Sequence, residues 1–127
     1  MYDYKVKSVD HIVDGDTLDV TVDLGFNISH KIRVRLYGIN TPESRTRDLE
    51  EKARGLASKD RLYELLAGAL INNHFLLVKT HEKGKYGRYL GTLIRKSTRP
   101  TEEEVELNIN ETLVEEGFAV KYYGGKR

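Results

Sequence analysis

The first part of the chain alternates between apolar and polar residues, and this alternation predicts three consecutive antiparallel strands. The first strand runs from about Tyr2 to Val13, and its apolar residues change parity after Val6, which indicates a bulge. The dipeptide Asp14-Gly15 then supplies a turn signal. The alternating apolar residues of the second and third strands are Leu18, Val20, Val22, Leu24, Ile32, Val34 and Leu36.

The period changes to that of a helix between about Arg47 and Leu70. Gly55 lies inside this segment and costs the helix about 1 kcal/mol relative to alanine. The residues predicted to form the core-facing stripe are Leu49, Ala53, Leu56, Tyr63, Leu66 and Leu70.

Two more strands are predicted over Phe75–Lys79 and Tyr89–Ile94, joined by the turn-rich segment Glu82–Gly87. The polar segment Thr98–Glu106 is expected to be a loop. A short closing helix follows, which Gly117 ends. Its predicted cap is either Asn108 or Asn110, and its predicted buried residues are Ile109, Leu113 and Val114.

This order of elements predicts an α+β, mainly β fold: a five-stranded OB-fold barrel with two covering helices. We expect one domain over residues 1–127, because the chain shows no repeat, linker or low-complexity stretch. Barrels of this kind commonly bind oligonucleotides on one face.

Composition narrows the function classes. With 39% apolar and 32% charged residues the chain has a globular composition, and it contains no cysteine, which excludes disulfides and cysteine-based zinc sites. The four histidines share no ligand spacing and are interpreted as structural or solvated. No apolar run reaches the roughly 18 residues of a membrane helix, and the start lacks a signal-peptide pattern. We therefore expect a cytoplasmic protein without a membrane partner.

The net charge of +1 conceals an uneven distribution along the chain. Residues 1–23 carry 2 basic and 6 acidic side chains, residues 24–100 carry 16 and 7, and residues 101–127 carry 3 and 7. A basic middle between acidic ends can place a positive face beside a carboxylate cluster, as phosphate binding with a metal requires. Scattered solvated charge is the alternative interpretation.

Two polar residues end apolar strand faces. Asp16 shares a face with Leu18, and Asn40 shares a face with Leu36, so both oxygen-bearing side chains are expected at the barrel rim, where they suit a hard cation. The alternative is that the segment 14–17 is only a hairpin turn, which needs no ligand to explain it.

Further candidates come from cations and one loop carboxylate. Arg33 and Arg35 alternate on the third strand, and Glu43 follows Pro42 in a loop where it can act as a general base. The segment 83–88 interleaves three cations with Tyr86, as in phosphate recognition. Each feature also has a plain structural interpretation, as a solvated edge, an exposed loop or a basic turn.

The strings VDGDT, RVRLYGINTPE, KYGR and LVEEGFA, in this order, resemble the staphylococcal nuclease (thermonuclease) family. The resemblance runs from about Val13 to Tyr123. It implies an OB barrel with helices and a nuclease that hydrolyses phosphodiester bonds of DNA and RNA and leaves 3′-phosphates. The implied cofactor is Ca²⁺, with Mg²⁺ or another divalent ion as the alternative, and the expected state is a monomer.

The resemblance also implies a role for individual residues. Two arginines would clamp the scissile phosphate and a glutamate would activate the attacking water. The implied catalytic residues are Arg35, Glu43 and Arg88. The implied metal-binding residues are Asp16, Asn40 and Thr41, the last through its backbone carbonyl. The implied substrate-binding residues are Lys85, Tyr86 and Tyr123.

Asn40 departs from the family pattern, because the best-known members carry aspartate at this position. The loss of one negative charge predicts weaker calcium affinity or a changed metal preference. An alternative function is a catalytically inactive OB-fold module that binds nucleic acid or protein. Such modules typically lack the arginines or the glutamate. Because Arg35, Arg88 and Glu43 are all present in this chain, the enzyme is favoured.

Overall fold

The computed structural model describes residues 2–69, 74–83, 88–98 and 106–123. Five of its strands are long and three contain only two residues each. In chain order the elements are β1 (Asp3–Asp14), β2 (Thr17–Gly25), β3 (Ile28–Leu36), β4 (Ile39–Asn40), α1 (Leu49–Ala69), β5 (His74–Lys83), β6 (Tyr89–Ser97), β7 (Leu107–Asn108), α2 (Ile109–Glu115) and β8 (Val120–Lys121).

The five long strands close into a barrel. Antiparallel pairing links β3 to β2, β2 to β1, β1 to β5 and β5 to β6. The barrel closes where β3 runs parallel to β6, with Val34 opposite Tyr89 and Leu36 opposite Gly91. The prediction of a five-stranded OB barrel with two helices is therefore confirmed.

The bulge predicted in β1 is present. The register between β1 and β2 shifts between Val6 and Ser8 and again between Val9 and His11. Because β1 pairs with β2 along most of its length but with β5 only through residues 3–5, it must bend between its two neighbours. Leu24 lies beyond this packed region at the end of β2 and is exposed, whereas the alternation had predicted it on the buried face.

The predicted core stripe of α1 is confirmed at Leu66, which is buried, and is wrong at its other described members. Leu49 is 79% exposed, Leu56 42% and Tyr63 66%, Ala53 is also exposed, and Leu70 lies outside the described residues. The residues that α1 buries are Gly55, Ser58, Leu62, Leu65, Leu66 and Ala69. At the N-terminal end of this face the buried residues are small: Gly55 and Ser58. The helix approaches the backbone of Glu43 too closely there for a larger side chain at position 55.

The closing helix follows its prediction more closely. Asn108 is its cap and accepts a hydrogen bond from the backbone N–H of Glu111 at 3.0 Å. Ile109 and Leu113 are fully buried, and Val114 is partly buried. Asn110, the other candidate cap, is instead a buried bridge: its Nδ2 donates to the carbonyls of Tyr37 and Gly91, and its Oδ1 accepts from the N–H of Leu93.

A short ribbon joins the region after β3 to the end of the described chain. Ile39 pairs with Lys121 and Asn40 pairs with Val120, and the N–H of Tyr122 donates to the carbonyl of Gly38 at 2.8 Å. This ribbon places position 40 between the barrel and α1. Among the described residues, no helix combines the length and the apolar character that crossing a bilayer requires.

Candidate active site

A polar pocket of about 150 Å³ lies where β1 turns into β2. Its walls come from the β1–β2 turn, β3, β4, the loop after β4 and the residue before β6. The residues that line it are Asp14, Asp16, Thr17, Arg35, Asn40, Thr41, Glu43 and Arg88. All six residues predicted to be catalytic or metal-binding thus line one pocket, which we call the polar pocket.

Asp16 connects three parts of the polar pocket although it is almost completely buried. Its Oδ1 accepts a hydrogen bond from the Thr17 hydroxyl at 3.0 Å, and its Oδ2 accepts one from the N–H of Thr41 at 3.0 Å. The backbone carbonyl of Asp16 also accepts from the N–H of Leu36. Because these bonds span the β1–β2 turn, β3 and the loop after β4, the carboxylate has one fixed orientation.

Arg35 is held just as firmly, with only 16% of its side chain exposed. Its Nη1 donates to the carbonyls of Leu36 at 3.2 Å and Ile39 at 3.0 Å, and its Nη2 donates to Oδ1 of Asn40 at 3.2 Å. The guanidinium is therefore oriented before any ligand arrives, which is the arrangement that stabilises developing negative charge most effectively. Arg33 lies on the same strand but pairs with Asp19 at 2.7 Å and does not line the polar pocket.

Asp14 lines the polar pocket, although the sequence pattern indicated only a turn there. Its Oδ1 accepts hydrogen bonds from both the hydroxyl and the backbone N–H of Ser44. This contact ties the β1–β2 turn to the residue after Glu43. The two aspartates of the string DGD could have indicated a second pocket carboxylate, but a turn is an equally good explanation of that string.

Gly55 sets the distance between α1 and the loop that carries Glu43. A Cβ atom at position 55 would lie 2.3 Å from the Glu43 carbonyl oxygen and 2.6 Å from the Ser44 nitrogen. Only glycine leaves room for this approach, so the helix backbone supports the Glu43–Ser44 peptide directly. Position 15 has the same restriction to glycine, since an added Cβ atom there would lie 2.7 Å from Cβ of Ser58.

The donor set of the polar pocket fits a hard divalent cation. Asp16, Asn40 and Thr41 supply carboxylate, amide and carbonyl oxygens, the ligand types that Ca²⁺ and Mg²⁺ prefer. Within the described part of the chain, no three His, Asp or Glu side chains converge on one metal position, so neutral oxygens would have to complete the coordination. The pocket lining nevertheless holds three carboxylates against two guanidiniums, an excess of one negative charge.

Of the three predicted substrate-binding residues, the structure describes only Tyr123, which does not line the polar pocket. Lys85 and Tyr86 lie outside the described residues, and Tyr123 is 72% exposed beside a separate cavity of about 400 Å³, which we call the Tyr123 cavity. There the ring of Tyr37 contacts Tyr123 edge-on at 5.8 Å and stacks on His81 at 4.0 Å. Sequence patterns gave no reason to select Tyr37 or His81, because their contact depends on β6 pairing with both β3 and β5.

Comparison with known proteins shows which family the chain belongs to. Residues 33–127 match the family model described as staphylococcal nuclease homologue. The chain is 34% identical over 114 residues to protein ParB of Escherichia coli, an alignment that covers 87% of this chain and 54% of that protein. It is 35% identical over 115 residues to the micrococcal nuclease of Shigella flexneri, covering 89% of this chain and 57% of that protein.

The chain thus spans little more than half the length of these two curated relatives. The family match begins at Arg33, includes Arg35, Asn40, Thr41, Glu43 and Arg88, and covers most of the chain. The barrel, its two helices and the match over residues 33–127 lead to one conclusion: the chain belongs to the staphylococcal nuclease homologue family.

Proposed function

We propose that this protein is a divalent-metal-dependent nuclease that hydrolyses phosphodiester bonds of DNA and RNA. The observation that carries this proposal is the polar pocket, which brings three carboxylates and two guanidiniums from separate parts of the chain into about 150 Å³. A pocket of this size and charge suits one phosphate group with its cation. Membership of the family and the 35% identity to a protein named micrococcal nuclease support the same activity.

In the proposed reaction Arg35 and Arg88 bind the two non-bridging oxygens of the scissile phosphate. Charge builds on these oxygens as water attacks phosphorus, so fixed guanidiniums stabilise the transition state more than the ground state. The Glu43 carboxylate accepts the proton that the attacking water loses. By analogy with the family, the bond to the 5′ oxygen breaks, so the product carries a 3′-phosphate.

Asp16, Asn40 and the carbonyl of Thr41 would hold the cation, which we propose to be Ca²⁺ with Mg²⁺ as the alternative. When bound, it would supply positive charge that offsets the phosphate and lowers the barrier to attack by water. The bonds of Asp14 to Ser44 would keep the neighbouring Glu43 at the pocket.

The second candidate is a non-catalytic module that binds nucleic acid or protein. The structure gives one observation in its favour, the exposed rings of the Tyr123 cavity, which can stack on bases without any chemistry. The polar pocket argues against it, because a pure binding surface has no use for a glutamate that shares one pocket with two half-buried arginines.

The decisive experiment is a cleavage assay on single-stranded DNA, RNA and plasmid with Ca²⁺, Mg²⁺ or EDTA. We expect metal-dependent cleavage by the wild-type protein and a loss of about 100-fold or more in Glu43→Gln, as for other general bases. Glu50→Gln is the matched control, since Glu50 is an exposed glutamate on α1 outside the polar pocket. If the folded protein binds DNA but cleaves none of the substrates with any metal, the nuclease proposal is wrong and the binding module is favoured.

A further inference from the structure

A larger cavity of about 520 Å³ adjoins the polar pocket and shares two of its wall residues, Asn40 and Thr41. We call it the α1 cavity, because α1 forms one side of it and the segment 117–120 forms the other. Its volume lies within the range of about 300–1,000 Å³ typical of ligand pockets, whereas that of the polar pocket falls below this range. A phosphate therefore fits the polar pocket, and the rest of a nucleotide chain must lie elsewhere.

The two sides of the α1 cavity are held together by specific contacts. The Ser58 hydroxyl donates to the carbonyl of Phe118 at 2.7 Å, and Asn40 pairs with Val120 in the β4–β8 ribbon. Because Ala57 and Gly117 carry little or no side chain, the space between α1 and the segment 117–120 stays open. The cavity is thus part of the folded framework, and it begins where the polar pocket ends.

One cation lies in the wall of this otherwise largely apolar cavity. Arg54 is exposed on α1, and within the described part of the chain its side chain forms no ion pair. Arg61, two turns further along the same helix, is instead occupied by Glu116 at 2.7 Å. Glu51 also lines the cavity, one helical turn before Arg54, and its negative charge opposes an anionic ligand.

We infer that the α1 cavity is a subsite for the sugar–phosphate unit next to the scissile phosphate, and that Arg54 binds the phosphate of that unit. A strand whose scissile phosphate sits in the polar pocket would pass Asn40 and Thr41 directly into this cavity. The apolar wall suits the ribose or deoxyribose ring, and a guanidinium suits phosphate oxygens better than any other side chain. The inference rests on the proposed function and adds a preference for oligonucleotides over single linkages.

The first test measures binding without catalysis. A fluorescent deoxythymidine decamer is titrated in EDTA with the wild-type protein, Arg54→Ala and Lys52→Ala, and the salt concentration is varied. Lys52 is the matched control because it is an exposed cation on another face of α1 and does not line the cavity. We expect Arg54→Ala to raise Kd about 5- to 10-fold and to lower the salt slope by about 0.7, the change for one phosphate contact on a single strand.

Glu51→Gln provides a change of opposite sign. Removing its charge should lower Kd for the same decamer, because an anion no longer faces the incoming phosphate. A second test compares cleavage of thymidylyl-thymidine, which has one linkage, with cleavage of the decamer. Arg54→Ala should raise KM about 5- to 10-fold for the decamer and leave KM for the dinucleotide within about 2-fold of wild type.

The outcomes separate this inference from the proposed function. If Arg54→Ala and Lys52→Ala weaken decamer binding equally, or if Arg54→Ala affects dinucleotide and decamer alike, the subsite is wrong while the nuclease stands. If the wild-type protein cleaves nothing but Arg54→Ala selectively weakens binding of the decamer, the nuclease is wrong while the α1 cavity remains a nucleotide-binding site.

Discussion

Arg35 and Asp16 form an ion pair at the centre of the polar pocket, with Nη1 of the arginine 3.3 Å from Oδ2 of the aspartate. Only 16% and 8% of the two side chains are exposed, so neither charge is well solvated. Removing one partner of a buried pair leaves the other uncompensated, which is costly. The group proposed to bind phosphate and a group proposed to bind metal therefore stabilise each other before either ligand is present.

This relationship makes Arg35→Lys a sharper test than truncation, because lysine keeps the charge opposite Asp16 but lacks the planar fork. We expect turnover to fall about 100- to 1,000-fold in a folded protein, the loss typical of one preorganised donor. Arg33→Lys on the same strand should keep wild-type turnover, since Arg33 pairs with Asp19 outside the pocket. Circular dichroism establishes that both variants fold, and equal turnover in the two would contradict the role of Arg35.

Asn40→Asp should tighten divalent-cation binding. Aspartate keeps the oxygen that accepts from Arg35 Nη2 at 3.2 Å and adds a full negative charge beside Asp16. We expect Kd for Ca²⁺ to fall by about 10-fold or more, measured by isothermal titration calorimetry without nucleic acid. Equal affinities for the wild-type and variant proteins would mean that position 40 does not face the metal.

Gly55→Ala should impair catalysis and also lower stability, because the added atom meets backbone. The added methyl group would overlap the Glu43 carbonyl at 2.3 Å, so the loop bearing Glu43 must shift away from α1. We expect kcat to fall by about 10-fold or more, because small misplacements of a catalytic group are costly. KM should change less, since Arg35 and Arg88 are not on that loop.

Gly68→Ala is the matched control on the same helix. The Cβ atom of alanine at position 68 would lie 3.4 Å from Nη1 of Arg95, an ordinary contact with the end of a flexible side chain. We expect unchanged kcat and a gain of up to about 1 kcal/mol in unfolding free energy from the better helix propensity of alanine. A kcat that falls equally in both variants would show that the effect is on the helix and not on Glu43.

The pair between Asp19 and Arg33 should make stability pH-dependent. The hydrogen bond from Arg33 lowers the pKa of Asp19 below its ordinary value of 3.8. Because the folded-state pKa is depressed, the stabilisation is present above the unfolded-state pKa and is lost as the pH falls through the folded-state pKa.

Asp19→Asn should therefore lower the free energy of unfolding by about 0.5–1 kcal/mol at pH 7, a range that reflects the half-exposed Arg33. The difference from wild type should shrink towards zero as the pH falls below the folded-state pKa of Asp19. Urea unfolding at several pH values measures it, and the same substitution in an Arg33→Ala background should have little effect. If the difference in unfolding free energy between the wild-type protein and Asp19→Asn does not change with pH, the lost stability is due to packing and not to the ion pair.

Local patterns in the chain were sufficient for the five long strands, the two helices and their order, but they did not predict the three two-residue strands. The alternation of Leu18, Val20 and Val22 predicted β2 and its buried face, and Asn108 was among the candidate caps of α2. The string RVRLYGINTPE also placed Arg35, Asn40 and Glu43 within nine positions, so one strand and its following loop carry half of the polar pocket.

The other half of the polar pocket depended on contacts between parts of the chain that are distant in sequence. Arg88 reaches the pocket because β6 runs parallel to β3, and Asp14 reaches Ser44 across 30 positions. The face of α1 could not be predicted from apolar residues, because the helix buries Gly55 and Ser58 where it meets the loop after β4 and exposes Leu49 and Leu56.

The amino-acid sequence by itself determined which segments form the five long strands and the two helices and which residue types are available for chemistry, because period, capping and turn preference act between neighbours in the chain. Only the tertiary structure decided which face of α1 is buried, how Asp14, Asp16, Arg35 and Arg88 meet, and that Tyr123 lies in a different cavity. Those outcomes depend on strand register and on how closely two backbones can approach, quantities that arise only when all elements pack together.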